Sequence, residues 1–556
     1  MKTSNKKKKK QFKSFITKKK NIVIFIFLIL LIVLSIAVYL KIHNNIIEEN
    51  LNDHDWMEDN INIVKNPILG KNIYYVEKEK YVDTYNLDYQ EITNSKISEL
   101  IQNTEEMVAI YNPYGTNISS LNIYLKNAPN SIKYKVIVKD KNDFERELNP
   151  GKTAYELIGL IPGEVNNIEI TINEEIFKYK IDLTSIKFNS QIELKSKKGD
   201  SNKELSSGLF VILGNTNKKN SFVSFYDNEG TLRGEMPIIN YRANKIMFRN
   251  DRLYMSISES KIAEINNLGQ VTEIYSTGKY NLHHDYTFDD SGDLIILATE
   301  RDSLTDEDII IRLDLDTKEI FKLIDFKDLL KEYYEKTSYS VDSYHDGSET
   351  GYDWIHINSI NYSEGNVYAS SRETSSIFKI ENIEKIPNLV SIIGNQEIWK
   401  NTEYFDLVYT KKGDFTVNAG QNNVGYKKES NGIYYLTMFN NNFGNTPTRK
   451  DFNYEDIGIK NTTLEEGDNS YYYVYKVDAA NRTYELVKNI KVDYSPLSGS
   501  VKELGNGNTL ITSGDKGIIY EFDNESNLIM KYNIELNKNN IYRTDKITFN
   551  NFYFKG

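Results

Sequence analysis

The second half of the chain repeats one pattern: a short β-rich segment, a polar turn, and a further β-rich segment that ends in an apolar run. Successive turns of this kind start between 39 and 97 residues apart, at 227–230, 266–269, 314–317, 381–384, 478–481 and 523–526. The shorter spacings match a four-stranded propeller blade, and the longer ones leave room for inserted loops. The pattern predicts an all-β fold with a six-bladed β-propeller over residues 196–556.

The preceding region, residues 86–195, contains short segments of alternating apolar and polar residues, such as 121–125 (LNIYL), 134–138 (YKVIV) and 168–172 (IEITI). This alternation over roughly 100 residues is typical of a small β-sandwich. Residues 41–85 are polar and of mixed charge, and we interpret them as a stalk.

Residues 22–40 (IVIFIFLILLIVLSIAVYL) form an uncharged run of 19 residues, long enough to cross a bilayer as a helix. The segment before it, 1–21, carries ten lysines and no acidic residue, which predicts a cytoplasmic N-terminus. We therefore expect a transmembrane signal anchor that fixes a single-pass protein in the cell membrane, with the propeller outside. The alternative is a cleaved signal peptide.

Charge and composition exclude several functions. The whole chain has a net charge of −11, and without the ten lysines near the N-terminus the remainder reaches −21, which argues against a nucleic-acid partner. There is no cysteine, so disulfides, thiolate zinc sites and iron–sulfur clusters are excluded, and only six histidines remain for histidine chemistry. No cofactor is predicted.

Two histidines, His283 and His284, are adjacent and precede Asp285. Neighbouring residues of a regular strand point to opposite faces, so the pair would share one metal ion only if the strand were bent. No metal site is predicted. Each histidine has an alternative structural role, as a strand-end cap or a surface ion pair.

A second segment, 353–359 (DWIHINS), reads as a strand in which His356 and Asn358 share one face and Asp353 lies on the other. Arg372 follows a further apolar strand. Histidine, asparagine and arginine with little negative charge nearby suit a tetrahedral oxyanion, because they offer several hydrogen-bond donors. Strands that converge on a propeller channel would bring these side chains together.

In this order the motifs resemble those of the bacterial aryl-sulfate sulfotransferases, over about residues 86–556. The similar segments are 283–285 (HHD), 353–359 (DWIHINS), 370–372 (SSR), 420–421 (GQ), 438–441 (MFNN) and 507–513 (GNTLITS). The resemblance implies a six-bladed propeller with a small N-terminal sandwich domain. It also implies sulfuryl transfer from a phenolic sulfate ester donor to a phenol acceptor, without a nucleotide and through a sulfohistidine.

By the same resemblance, His356, Asn358 and Arg372 would bind the sulfate. His283 or His284 would neutralise developing charge or donate a proton to the leaving phenolate.

The sequence departs from this family at the nucleophile, because Asn422 occupies the position of the family's histidine and no histidine follows His356. An amide nitrogen is a very poor nucleophile. Three interpretations remain open. The protein binds anionic aromatic ligands with transfer lost or reduced; it transfers sulfuryl groups directly or through His283, His284 or His345 as a substitute nucleophile; or it is an envelope adhesion or scaffold protein.

Overall fold

The computed structural model describes residues 54–104, 107–187, 192–213, 222–238, 240–339, 352–535 and 541–556. The lysine-rich segment, the predicted transmembrane run 22–40 and His345 lie outside these residues. Within the described ranges, no helix combines the length and the apolar character needed to span a bilayer.

Helices are few in the described part of the chain. The α-helices are α1 (His54–Asn60), α2 (Leu87–Gln102), α3 (Phe326–Leu329) and α4 (Lys331–Lys336). Single 3₁₀ turns occur at Gln396–Trp399, Phe405–Leu407, Tyr454–Ile457 and Gly514–Lys516. Asn86 caps α2, because its side chain accepts a hydrogen bond from the Tyr89 amide.

The N-terminal region folds as two β-sheets. The first has the order β1-β2-β3-β4-β7, formed by β1 (Asn62–Lys65), β2 (Ile73–Glu77), β3 (Val108–Tyr111), β4 (Ser120–Tyr124) and β7 (Ala154–Ile158). The second has the order β6-β5-β8-β9, formed by β5 (Ile132–Val138), β6 (Phe144–Glu147), β8 (Val165–Ile172) and β9 (Glu175–Asp182). Strands β1 and β2 come from the segment interpreted as a stalk, and β2 pairs in parallel with β3.

Six further sheets follow in chain order. The first three are formed by β11 (Leu209–Leu213), β12 (Phe222–Tyr226), β13 (Leu232–Pro237) and β35 (Arg543–Ile547); by β14 (Ile246–Arg249), β15 (Arg252–Ser258), β16 (Lys261–Asn266) and β17 (Val271–Ser276); and by β18 (Tyr280–Phe288), β19 (Leu294–Glu300), β20 (Ile309–Leu313) and β21 (Ile320–Asp325).

The last three are formed by β22 (Ile357–Ser363), β23 (Asn366–Ser371), β24 (Ser376–Glu381) and β25 (Asn388–Ile393); by β26 (Thr410–Lys412), β27 (Asn422–Lys428), β28 (Ile433–Asn440), β29 (Ser470–Asp478) and β30 (Thr483–Val492); and by β10 (Glu193–Lys198), β31 (Gly499–Glu503), β32 (Thr509–Ser513), β33 (Ile518–Phe522) and β34 (Leu528–Glu535).

Strands from opposite ends of this region complete its first and last sheets. β35 pairs antiparallel with β11, where Arg543 lies opposite Leu213, and β10 pairs antiparallel with β34. The innermost strands also contact one another between sheets: β18 with β22, β22 with β27, β27 with β31, and β31 with β35. These contacts bring residues from distant parts of the sequence to one axis.

All six polar turns predicted from the sequence occupy equivalent places. Counted from β35, β14, β18, β22, β27 and β31, each connects the third and fourth strands of its sheet: β12–β13, β16–β17, β20–β21, β24–β25, β29–β30 and β33–β34. In the turn after β12, Asp227 accepts hydrogen bonds from the amides of Glu229 and Thr231. An aspartate or asparagine at the start of the turn therefore replaces part of the backbone pairing that the turn interrupts.

Middle strands of the sheets are covered on both faces. Every residue of β11, β12 and β32 is buried, whereas outer strands such as β30 alternate between buried and exposed residues. Sheets that pack against neighbours on both faces give continuous apolar strands rather than alternating ones. The core therefore supports the inner strands that carry the candidate site.

Candidate active site

Of the predicted site residues that the structure describes, Arg372 directly follows β23, and the others lie on or beside the innermost strands of three consecutive sheets. β18 carries His283 and His284, β22 is preceded by His356 and carries Asn358, and β27 begins at Asn422. These three strands contact one another in sequence, β18 with β22 and β22 with β27.

His283 and His284 lie in a bulge of β18. The antiparallel register with β19 shifts between Leu282 and Tyr286, and His284 has a left-handed backbone conformation with φ of 51°. The Nδ1 atoms of the two imidazoles are 3.1 Å apart. The expectation that these side chains diverge is wrong, because the bulge breaks the two-residue alternation.

A carboxylate that no sequence motif indicated joins these histidines to His356. Glu307, in the connection between β19 and β20, places Oε1 3.4 Å from His284 Nδ1 and Oε2 2.5 Å from His356 Nδ1. The rings of His284 and His356 meet edge to face with centroids 4.9 Å apart. Glu307 and His356 also have left-handed backbones, with φ of 57° and 48°. Such non-glycine conformations are unfavourable and concentrate at functional sites.

Two more carboxylates hold His356 and Arg372. Asp353 Oδ2 is 2.5 Å from His356 Nδ1 and 3.1 Å from Arg372 Nη2, which also contacts Glu373 Oε1 at 3.0 Å. The prediction that Asp353 faces away from His356 is wrong, because β22 starts only at Ile357 and the chain turns at the left-handed His356.

Asn358 and Asn422 are linked through the main chain between them. Asn358 is fully buried, and its Nδ2 donates to the carbonyl of Gln421 at 2.9 Å. Asn422 is 8% exposed, and its Nδ2 donates to the carbonyl of Leu497 at 3.1 Å. The side chain of Gln421 is held in turn by Ser370 and Asn418. Asn422 is therefore positioned by hydrogen bonds, beside the residue that Asn358 contacts.

Asp285 neutralises two cations next to the histidine pair. Its Oδ1 accepts from Lys245 Nζ at 2.9 Å and from Arg543 Nη1 at 3.1 Å, and its Oδ2 accepts from the Ile360 amide. Tyr542 donates its hydroxyl to the carbonyl of His284 at 3.0 Å. Asp285, the third residue of the HHD motif, is thus held in place by two cations and a backbone amide.

A cavity of about 240 Å³ adjoins this ion cluster. Inner strands of all six sheets contribute to its lining, which includes Ile246, Asp285, Ile360, Val424, Val501 and Thr544. A larger cavity, of about 560 Å³, lies between the N-terminal sheets and β11 and contains none of the predicted site residues.

Burial and neighbouring charges shift the pKa values of His356 and His284 in opposite directions. Burial and Arg372 act to lower the pKa of His356, but Asp353 and Glu307 outweigh them and raise it to about 9. Burial lowers the pKa of His284, and the neighbouring His356 lowers it further. Burial raises the pKa of Glu373. His356 is therefore a cation at neutral pH and His284 is neutral.

The number of carboxylates at the site differs from the expectation of little negative charge near His356 and Arg372. Two cations, His356 and Arg372, lie against three carboxylates, those of Glu307, Asp353 and Glu373. Little negative charge was predicted here. Only Asp353 belongs to a motif quoted from the sequence, Glu373 directly follows the SSR motif, and Glu307 has no sequence signal because it reaches the site from a loop.

The fold and this cluster define an all-β protein with a buried site of histidine, arginine and carboxylate groups. Family models match two regions: residues 194–550 match the arylsulfotransferase (ASST) family, and residues 108–189 match the arylsulfotransferase Ig-like domain. The chain belongs to the arylsulfotransferase family. Strands β3 to β9 lie within the region that matches the Ig-like domain of that family, and the family-level function is that of an aryl sulfotransferase.

No curated protein matches the sequence. Similar solved structures include a protein of unknown function from Bacteroides caccae, 10% identical, covering 61% of this chain and 98% of its own, with a TM-score of 0.36. A putative 6-phosphogluconolactonase from Bacteroides uniformis is 10% identical and covers 75% of this chain and 99% of its own, with a TM-score of 0.34. These likenesses are too distant to bear on function.

Proposed function

We propose that the protein transfers a sulfuryl group from a phenolic sulfate ester to a phenol, without a nucleotide donor. Family membership gives the reaction class. The observation that carries the proposal is the cluster in which Arg372 and His356 share Asp353 and the His356 ring meets that of His284, with Asn358 two residues further along the chain.

We also propose that the six sheets are the blades of a six-bladed β-propeller. Their consecutive order, the equivalent places of the six polar turns and the cavity lined by all six sheets support this arrangement. The pairing of β35 with β11 would close the ring.

The sulfate end of the donor would bind to Arg372, protonated His356 and Asn358. Arg372 is held by Asp353 and Glu373 through Nη2, and Asn358 is held by the carbonyl of Gln421. Donors fixed in this way stabilise charge on the non-bridging sulfate oxygens without reorganising during the reaction.

Asn422 favours direct transfer over the covalent route. In a single displacement, the acceptor oxygen forms a bond to sulfur as the bond from sulfur to the donor oxygen breaks. The acceptor loses one proton and the departing phenolate gains one, so atoms and charge balance. A route through His283 or His284 would instead leave a sulfuryl group on the protein in the absence of acceptor.

The second candidate function is binding of an anionic aromatic ligand without turnover. The replacement of the family's nucleophile by Asn422 favours it, because its amide nitrogen donates to Leu497 and has no free lone pair. By sequence, the predicted anchor at 22–40 would place either function on the outer side of the cell membrane.

The test is turnover of a chromogenic aryl sulfate by the full chain, with and without a phenol acceptor. We expect release of phenolate that depends on the acceptor, a sulfated acceptor in the products, and no gain of SO₃ mass by the protein with donor alone. His356→Gln and Arg372→Ala should abolish release, whereas His54→Ala, at an exposed histidine, should retain it. Tight donor binding without release would establish the second candidate, and a covalent SO₃ adduct would overturn direct transfer.

A further inference from the structure

The bulge in β18 and the loop that carries Glu307 aim three metal-binding atoms at one point. One ring nitrogen each of His283 and His284 and a carboxylate oxygen of Glu307 all lie within 4.8 Å of one another. Both His284 and Glu307 are held in left-handed backbone conformations, which turn the side chains toward each other. We propose that these three residues bind a divalent transition-metal ion of the zinc class.

The distances fit such an ion. His283 Nδ1 and His284 Nδ1 are 3.1 Å apart, and His284 Nδ1 and Glu307 Oε1 are 3.4 Å apart. With zinc–ligand bonds of about 2.0–2.1 Å, neighbouring ligand atoms of a tetrahedral site lie about 3.3 Å from each other. Two histidines and one glutamate are also a donor set found in zinc sites that leave the fourth position open to water or substrate.

The surroundings of Glu307 support the same assignment. Oε1 faces His284, while Oε2 lies 2.5 Å from His356 Nδ1. A ligating carboxylate is commonly oriented by a partner on its other oxygen, and the ion pair with His356 is such a partner for Glu307. Glu307 would thus bind the ion through Oε1 and contact His356 through Oε2.

The charge of the cluster gives the ion a role. The carboxylates of Glu307, Asp353 and Glu373 already engage His356 and Arg372, so a sulfate ester would compete with them for these donors. A divalent ion on the histidine pair would add positive charge and offer its open position to a sulfate or phenolate oxygen. This role, unlike the binding of the ion, rests on the proposed function.

The binding test uses the full chain, stripped with a chelator and titrated with zinc, with the bound metal measured by elemental analysis. We expect one zinc per chain, and an affinity reduced about tenfold or more by each of His283→Ala, His284→Ala and Glu307→Gln. His54→Ala is the matched control, since this histidine is half exposed and pairs loosely with Asp88 at 3.8 Å. Its zinc affinity should not change.

A second readout does not depend on the folding of variants. Cobalt added to the unaltered, metal-free chain should give the strong visible absorption of a tetrahedral site, and zinc should abolish it. Absence of this absorption, or zinc binding that survives all three substitutions, would overturn the proposal. Zinc binding without sulfuryl transfer would leave the metal site standing and contradict the proposed function, whereas full transfer by zinc-free protein would overturn the role of the ion.

Discussion

Glu307 Oε2 lies 2.5 Å from His356 Nδ1, and the other oxygen of the same carboxylate lies 3.4 Å from His284 Nδ1. One loop residue therefore connects the inner strands of two sheets at the candidate site. Because Glu307 is only partly exposed and contacts both rings, its charge affects each of them. The consequence is that the site depends on a residue outside all of the motifs that define the family resemblance.

Replacing Asn422 with histidine should restore a covalent route. The imidazole would provide the nucleophile that the amide lacks, and removing such a nucleophile costs up to about 10⁶-fold in a protease. We expect Asn422→His to gain SO₃ mass with donor alone, and to release phenolate at least about a hundredfold faster than the unaltered chain. Asn431→His, which places a histidine in an exposed turn, should do neither. A variant that folds but stays unmodified would show that the rest of the site no longer supports transfer.

Arg372→Lys should weaken binding of the aryl sulfate although charge is kept. Lysine cannot reproduce the guanidinium, whose Nε and Nη2 both contact Glu373 while Nη2 also contacts Asp353. We expect the dissociation constant, measured by calorimetry, to rise about tenfold or more, which corresponds to about 1.4 kcal/mol. Arg301→Lys, at an exposed arginine, serves as the control. Equal affinities for the two variants would remove Arg372 from the sulfate site.

Glu156 should make the stability of the protein fall as pH rises. Burial raises the pKa of this β7 carboxyl to about 8, against the nearby polar side chains of Ser120 and Asn117, which lower it. Between its unfolded pKa near 4.5 and a folded pKa near 8, the folded state holds one proton more than the unfolded state. The free energy of unfolding therefore decreases across this window, by up to about 1.4 kcal/mol per pH unit.

Glu156→Gln removes this proton, so its thermal midpoint should change less between pH 5 and 8 and exceed that of the unaltered chain at the upper end. Glu175→Gln, on an exposed position of β9, should follow the unaltered profile. The measurement is differential scanning calorimetry at several pH values. Parallel profiles for both variants would contradict the assignment of a neutral Glu156.

The pair of Lys546 and Glu521 should be essential for stability. Lys546 Nζ is 2.7 Å from Glu521 Oε2, both side chains are fully buried, and the pair joins β35 to β33 in a neighbouring sheet. Glu521→Gln leaves a buried ammonium without its counter-ion, and we expect a loss of about 3–5 kcal/mol in urea unfolding. Glu147→Gln breaks the exposed pair with Lys555 and should cost at most about 1 kcal/mol. A second change, Lys546→Met, should recover part of the loss in Glu521→Gln.

The parts of the structure that depend on local chemistry could be predicted from the sequence. The turn at 227–230 is one example, because an aspartate that accepts from its own turn encodes the reversal within a few residues. The relative orientation of His283 and His284 could not be predicted, since it results from the register of β18 against β19. The position of Glu307 depends on where a loop meets two other sheets. Alternation likewise failed at Asp353, because a strand that begins four residues later imposes no face on it.

The contact of Asp285 with Arg543 gives the site an order of assembly. The two residues are 258 positions apart in the chain, and Arg543 Nη1 lies 3.1 Å from Asp285 Oδ1 beside the histidine pair. During synthesis, His283 and His284 are made long before the cation that balances their neighbour. The candidate cluster can therefore reach its final arrangement only after translation has passed Arg543, and a domain that folded earlier would lack this contact until β35 joins β11.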